Sequence, residues 1–156
     1  MRKAWGRALA FGAALLLTAC GEPEWGLDQH GRAVEAAQLE GRWLVINYWA
    51  EWCGPCRKEV PELNRLAEEQ AGGAVRVLGV NFDALQGEAL RQAAATLGIR
   101  YTNLASDPGA RLGLTRSRVL PVTWLVDPQG QVRKQLTGEQ TAVGLKAELA
   151  ALGAPL

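Results

Sequence analysis

Two cysteines separated by two residues form the most reactive motif in the sequence. Cys53 and Cys56 enclose Gly54 and Pro55, soon after a run of apolar and aromatic residues. We expect the motif at the start of a helix, where unpaired backbone N–H groups and the helix dipole stabilise a thiolate and where proline is tolerated. A thiolate attacks disulfides, and a second thiol one helical turn later displaces the mixed disulfide. The spacing therefore predicts thiol–disulfide exchange, with Cys53 attacking and Cys56 resolving.

Three other uses of this cysteine pair have less support. A zinc site needs four ligands, and only Cys20 and the lone histidine, His30, remain to complete one. Haem attachment needs a histidine directly after the second cysteine, where the sequence has Arg57. A purely structural disulfide between these residues closes so small a loop that it adds little stability. We therefore expect no metal, and no cofactor beyond the Cys53–Cys56 disulfide itself.

The third cysteine, Cys20, ends a segment that is typical of targeting sequences. A basic start is followed by ten apolar residues, 8–17, which are too few for an ordinary membrane-spanning helix. The end of this segment is more specific, because residues 17–20, LTAC, resemble the bacterial lipobox. In lipoproteins with that motif the cysteine is lipidated and becomes the new N-terminus, so Cys20 is expected to anchor the protein to a membrane. The alternative is an ordinary signal peptide that leaves Cys20 as a free thiol.

This interpretation divides the chain into a signal peptide (1–19), a lipid-anchored tether (20–24) and one domain (25–156). At 156 residues the chain is long enough for one domain with a sizeable core. The formal net charge is +1, and without the three basic residues of the signal peptide 14 basic residues face 16 acidic ones. A nucleic-acid-binding domain carries a basic face, so we expect no nucleic-acid partner. We also expect a monomer.

The patterning of apolar residues places the cysteine motif between a buried strand and a helix. Residues 43–50 are continuously apolar or aromatic apart from one asparagine, which is typical of a central strand buried on both faces. From Cys53 onward the apolar residues recur at helical spacing until the glycines at 72 and 73. The other predicted elements are a hairpin (25–34), a strand (75–82), a helix (87–98), a turn with a short helix (107–114), a second hairpin (122–136) and a helix (141–152). This order predicts an α/β domain with a mixed sheet covered by helices on both faces.

The segment NYWAEWCGPCRKEVPEL, residues 47–63, resembles the thioredoxin superfamily, and within it the TlpA/ResA-like extracytoplasmic thiol–disulfide oxidoreductases. The likeness extends to LGVNFD, to the predicted helix at 87–98 and to LPVTWLVDPQG. It implies a thioredoxin fold with an N-terminal β-hairpin and a helical insert. It also implies that Pro121 is a cis-proline bordering the active site, where a substrate backbone pairs with Leu120. From the residues alone, Pro121 equally well begins an edge strand.

The sequence departs from classical thioredoxins where a proton acceptor is expected. Those proteins carry a buried aspartate six residues before the first cysteine, and this chain has Asn47. An amide accepts no proton at neutral pH, so Glu59, one turn beyond Cys56, is the candidate helper. A solvated helix-face carboxylate is the competing interpretation. Trp52 is expected to offer an apolar surface to partners, and Val119, in place of the usual glycine, to narrow the substrate groove.

These features predict a membrane-tethered thiol–disulfide oxidoreductase at the periplasmic face of a bacterial membrane. The Gly54–Pro55 dipeptide occurs in thioredoxin, which is reducing, and therefore favours reduction of oxidised proteins. The resemblance implies a transmembrane thiol reductase of the DsbD/CcdA type as electron donor, and apocytochrome c is one possible substrate. Two alternatives are a Sco-like copper metallochaperone and a thiol peroxidase. The first uses a histidine downstream of the cysteines, and this sequence has none after His30. The second uses a proline and a threonine upstream of the reactive cysteine, where this sequence has Ile46 and Ala50.

Overall fold

The computed structural model describes residues 25–115 and 117–156. Cys20, the predicted signal peptide and the predicted tether lie outside the described residues. The elements are a short 3-10 helix (Ala36–Gln38), β1 (Trp43–Trp49), α1 (Gly54–Glu69), β2 (Val75–Asn81), α2 (Gly87–Leu97), β3 (Thr102–Leu104), α3 (Gly109–Leu112), β4 (Val122–Val126), β5 (Val132–Thr137) and α4 (Ala142–Ala151).

The strands form one mixed five-stranded sheet in the order β3-β2-β1-β4-β5. β1 pairs in parallel with β2, and β2 in parallel with β3, whereas β4 is antiparallel to both β1 and β5. β1 is therefore the central strand, and all seven of its residues are buried. The loop from β1 to α1 carries the cysteine motif, so the most buried strand of the sheet positions the reactive residues.

Side chains of β1 alternate between two hydrophobic cores, one on each face of the sheet. On the first face, here called the α1 face, residues such as Val45 and Trp49 pack against α1, α2 and α4. On the opposite face, Ile46 and Tyr48 pack with the N-terminal segment that contains Trp25 and with the residues around α3. Helices thus flank the sheet, and the three long ones share the face that carries the cysteines.

Two short features differ from the prediction. The N-terminal hairpin is reduced to a tight turn with a single bridge between Leu27 and Ala33, and the adjacent Asp28 forms a bridge to Leu104 of β3. β3 was not predicted, because three residues are too few to show the two-residue period of a strand. Its pairing with β2 extends the sheet by one parallel strand.

Within the described part of the chain, no helix is both long and apolar enough to span a bilayer. The same residues include no group of three or more histidine, cysteine or acidic side chains placed to hold a metal ion.

Candidate active site

Cys53 and Cys56 are joined in a disulfide across the first turn of α1. The S–S distance is 2.01 Å, and the Cα atoms lie 5.3 Å apart. Cys53 is the N-cap residue of the helix, and its Sγ accepts a hydrogen bond from the Cys56 backbone N–H at 3.2 Å. Such N–H groups have no partner within a helix and favour negative charge on sulfur once the disulfide opens.

The two sulfurs differ in their access to solvent. Cys53 is 4% exposed and Cys56 is fully buried, whereas Gly54 and Pro55 between them are exposed. An incoming polypeptide therefore reaches Cys53 first, which agrees with its expected role as the attacking residue. The buried position of Cys56 suits a thiol that reacts only within the protein.

The Glu59 side chain lies inside the protein and is only 1% exposed. The interpretation of Glu59 as a solvated helix-face carboxylate is therefore wrong. The helix spacing places Glu59 one turn beyond Cys56 on the face that packs against the sheet. Asn47 Nδ2 donates a hydrogen bond to Glu59 Oε1 at 2.7 Å, and the Gln140 backbone N–H donates to Oε2 at 3.1 Å.

Burial raises the pKa of Glu59 from 4.5 to about 7. The hydrogen bonds from Asn47 and Gln140 act in the opposite direction, because they stabilise the charged form, and the negative charge of Glu139 adds a smaller upward effect. A carboxyl with a pKa near neutrality both accepts and returns protons under physiological conditions. Glu59 therefore has the property that Asn47 lacks.

Asn47 connects Glu59 to the sheet. Its Nδ2 also donates to Thr123 Oγ1 at 3.1 Å, and Thr123 is its partner in the β1–β4 pairing. Its Oδ1 is buried without a hydrogen-bond partner among the described residues. The amide thus serves as a donor that fixes the carboxylate in position.

A tyrosine near Glu59 was not predicted from the sequence. Tyr101 precedes β3 and is buried, and its hydroxyl has no hydrogen-bond partner among the described residues. Burial raises the pKa of Tyr101, and the nearby charge of Glu59 raises it further. Tyr101 lies 42 positions after Glu59, so no local pattern in the sequence predicts that the two residues are close.

Trp52 forms the exposed rim of the site. Its side chain is 66% exposed, yet its Nε1 donates to Asp83 Oδ2 at 2.9 Å and its ring meets Phe82 edge to face at 6.3 Å. Asn81 shapes the loop after β2, which carries Phe82 and Asp83, since its Oδ1 accepts hydrogen bonds from the backbone N–H groups of Asp83 and Leu85. An exposed apolar ring held by two contacts is suited to partner binding.

The Leu120–Pro121 peptide bond is cis, as the resemblance implies. Leu120 packs against the core cluster that includes both cysteines, and the Gly138 backbone N–H donates to the Pro121 carbonyl at 2.9 Å. Val119 is 55% exposed beside it. The structure thus places an exposed apolar residue immediately before the cis peptide unit.

A disulfide at the first turn of the helix that follows the central strand of a mixed sheet, together with a cis-proline loop, defines a thiol–disulfide oxidoreductase of the thioredoxin fold. The model of the AhpC/TSA family matches residues 18–135. The chain belongs to that family.

Named relatives have the same chemistry. Thiol-disulfide oxidoreductase ResA of Bacillus anthracis is 30% identical over 123 residues, which cover 78% of this chain and 70% of the relative. Thiol:disulfide interchange protein HelX of Rhodobacter capsulatus is 33% identical over 69% of this chain and 58% of the relative. A DsbF homologue from Corynebacterium diphtheriae superimposes with a TM-score of 0.68 at 25% identity, over 81% of this chain and 82% of that structure.

Proposed function

We propose that the protein is a lipid-anchored reductase of disulfides in extracytoplasmic proteins. The observation that carries this proposal is the disulfide at the start of α1, close to a buried carboxyl whose pKa is about 7. The exchange reaction itself follows from the family, whereas the direction, the anchor and the partners are proposals.

In the proposed reaction the reduced protein supplies two electrons and the client disulfide accepts them. The Cys53 thiolate attacks one sulfur of the client disulfide and forms a mixed disulfide with it, while the other client sulfur leaves as a thiolate. Cys56 then loses its proton and attacks Cys53 Sγ, which releases the second client thiolate and closes the Cys53–Cys56 disulfide. We assign the acceptance of the Cys56 proton to Glu59, one helical turn away and buried beside the same core.

The reducing direction is supported by Gly54 and Pro55, the dipeptide of thioredoxin, whose potential is about −270 mV. The lipobox-like sequence ending at Cys20 supports an anchor at the periplasmic face of a bacterial membrane. Such a compartment is oxidising, so a reductase there needs electrons from across the membrane. We therefore propose a transmembrane reductase of the DsbD/CcdA type as donor. Oxidised proteins, apocytochrome c among them, are the proposed substrates, and no further cofactor is required.

The experiment that tests this function is mechanism-based trapping. Cys56→Ser leaves the attacking thiol intact and removes the resolving thiol, so we expect mixed disulfides between Cys53 and client proteins on non-reducing gels. The matched control, Cys53→Ser, removes the attacking thiol and should trap nothing. Absence of trapped partners, together with no reduction of insulin by the wild-type protein, would contradict the proposal, and a measured potential near −120 mV, as in DsbA, would reverse its direction.

A further inference from the structure

A cavity of about 260 Å³ lies at the end of the sheet where β1 leads into the active-site loop. It is on the face opposite to α1. Its walls include Tyr48 at the end of β1, Phe82 after β2, Val122 and Trp124 in β4, and Ala110 and Leu114 in and after α3. A volume of this size lies just below the roughly 300–1,000 Å³ of pockets that hold drug-sized ligands. It suits a single large side chain.

Most polar groups of the cavity wall already have partners. The Tyr48 hydroxyl donates to Asp107 Oδ1 at 2.6 Å, and the Gly109 backbone N–H donates to the same oxygen at 2.7 Å. Ser117 Oγ donates to the Val119 carbonyl at 2.8 Å, and Thr115 is the remaining polar side chain of the wall. The other lining residues are aromatic or aliphatic. A guest that brings its own polar groups would leave them unpaired there, at a cost in free energy. The cavity is therefore suited to an apolar guest.

Phe82 connects this cavity to the reactive disulfide. Phe82 lines the cavity, and its ring meets Trp52, the residue before Cys53, edge to face. The Phe82 backbone N–H donates to the Trp49 carbonyl at 2.8 Å, which fixes the loop after β2 against the end of β1. An apolar surface thus continues from the disulfide to the cavity.

We propose that this cavity binds an apolar side chain, aromatic by preference, of the client polypeptide, an inference that rests on the proposed function. Side chains of an extended segment point alternately to opposite sides. Cys53 belongs to the α1 face and the cavity to the opposite face. A residue adjacent to the client cysteine therefore faces the cavity when the cysteine meets Cys53, and a residue two positions away does not.

Symmetric peptide disulfides test this inference, because attack on either sulfur is equivalent. The reduced protein gives two electrons to each peptide disulfide, becomes oxidised and releases two peptide thiols. Three peptides are compared, with phenylalanine adjacent to the cysteine, with phenylalanine two positions away, or with alanine at both positions. Cystine is the reference substrate without flanking residues. We expect kcat/KM about tenfold higher for the adjacent phenylalanine than for alanine, and little gain from phenylalanine two positions away.

Two variants separate the cavity from a general affinity for apolar peptides. Ala110→Phe places a ring in the cavity from an exposed position, whereas Ala147→Phe adds the same ring to an exposed position of α4. The preference for the adjacent phenylalanine, normalised to cystine, should disappear in Ala110→Phe and persist in Ala147→Phe. Equal rates for phenylalanine and alanine in the wild-type protein, or a preference that survives Ala110→Phe, would overturn the inference. Failure to reduce cystine at all is a different result, since it removes the proposed function as well.

Discussion

The two faces of β1 differ sharply although they flank the same disulfide. Asn47 points to the α1 face, where it donates to a buried carboxyl with a pKa of about 7. Tyr48, the next residue, points to the opposite face, where its ring lines an apolar cavity and its hydroxyl is already bonded to Asp107. The alternation of one strand thus separates a site for proton transfer from a site for binding. Changes on one face should therefore leave the other face largely unaffected.

The largest effect is expected when the proton acceptor on the α1 face is removed. Glu59→Gln keeps an oxygen for the Asn47 hydrogen bond but accepts no proton at neutral pH. Since proton transfer by a positioned side chain contributes about 100-fold to 10,000-fold, we expect insulin reduction near neutral pH to slow by about 100-fold. Stopped-flow measurement then gives the rate of the resolving step, in which Cys56 loses its proton, separately from the overall rate of insulin reduction.

Glu62→Gln is the matched control for that variant. Glu62 lies on the same helix, is half-buried and accepts a hydrogen bond from the Ala142 backbone N–H at 2.9 Å. The Glu62→Gln protein should reduce insulin at close to the wild-type rate. A Glu59→Gln protein that reacts as fast as Glu62→Gln would remove Glu59 from the mechanism.

The second effect concerns stability and follows from the same carboxyl. The pKa of Glu59 is raised from 4.5 to about 7 by burial, so the folded protein holds this proton more tightly than the unfolded chain. Ionisation therefore costs the folded state nothing below pH 4.5, an increasing amount between 4.5 and 7, and the full amount above 7. That amount is about 3 kcal/mol at 1.36 kcal/mol for each pKa unit.

Glu59→Gln cannot ionise, so its stability relative to the wild-type protein should rise by about 3 kcal/mol across this pH window. Urea unfolding of both oxidised proteins at several pH values measures the difference. A difference that does not change with pH would show that Glu59 ionises as easily in the folded protein as in the unfolded chain.

The smallest effect is expected on the opposite face. Tyr48→Phe removes the hydroxyl that donates to Asp107 at 2.6 Å and leaves the ring in place. Because Asp107 is exposed, water can replace the lost donor, so we expect a loss of about 1 kcal/mol or less in unfolding free energy. The pH dependence of the rate of insulin reduction should match that of the wild-type protein. A shifted pH profile in Tyr48→Phe would contradict the separation of the two faces.

The sequence predicted the framework well because its signals are local. The continuous apolar run lies within one element, β1. The helical spacing after Cys53 likewise lies within α1. The same helical spacing also indicates that Glu59 is buried, since Cys56, Val60 and Leu63 mark the buried side of α1 and Glu59 lies among them.

The remaining parts of the site depend on contacts between distant residues. Asp83 reaches Trp52 across 31 positions, and Gln140 reaches Glu59 across 81. Neither pairing has a pattern in the intervening sequence, because loop direction and packing bring these groups together. A local motif predicts which atoms react, whereas the tertiary fold decides what surrounds them.

The hydrogen bond from the Gln140 backbone N–H to Glu59 has a practical consequence for spectroscopy. This amide belongs to the loop before α4, and its partner is the oxygen of Glu59 that Asn47 does not contact. Protonation of the carboxyl weakens it as an acceptor, so the amide proton resonance of Gln140 should move as Glu59 titrates. A ¹⁵N-labelled sample therefore contains its own reporter of the charge beside the disulfide, and a single cross-peak follows the proton through the redox cycle.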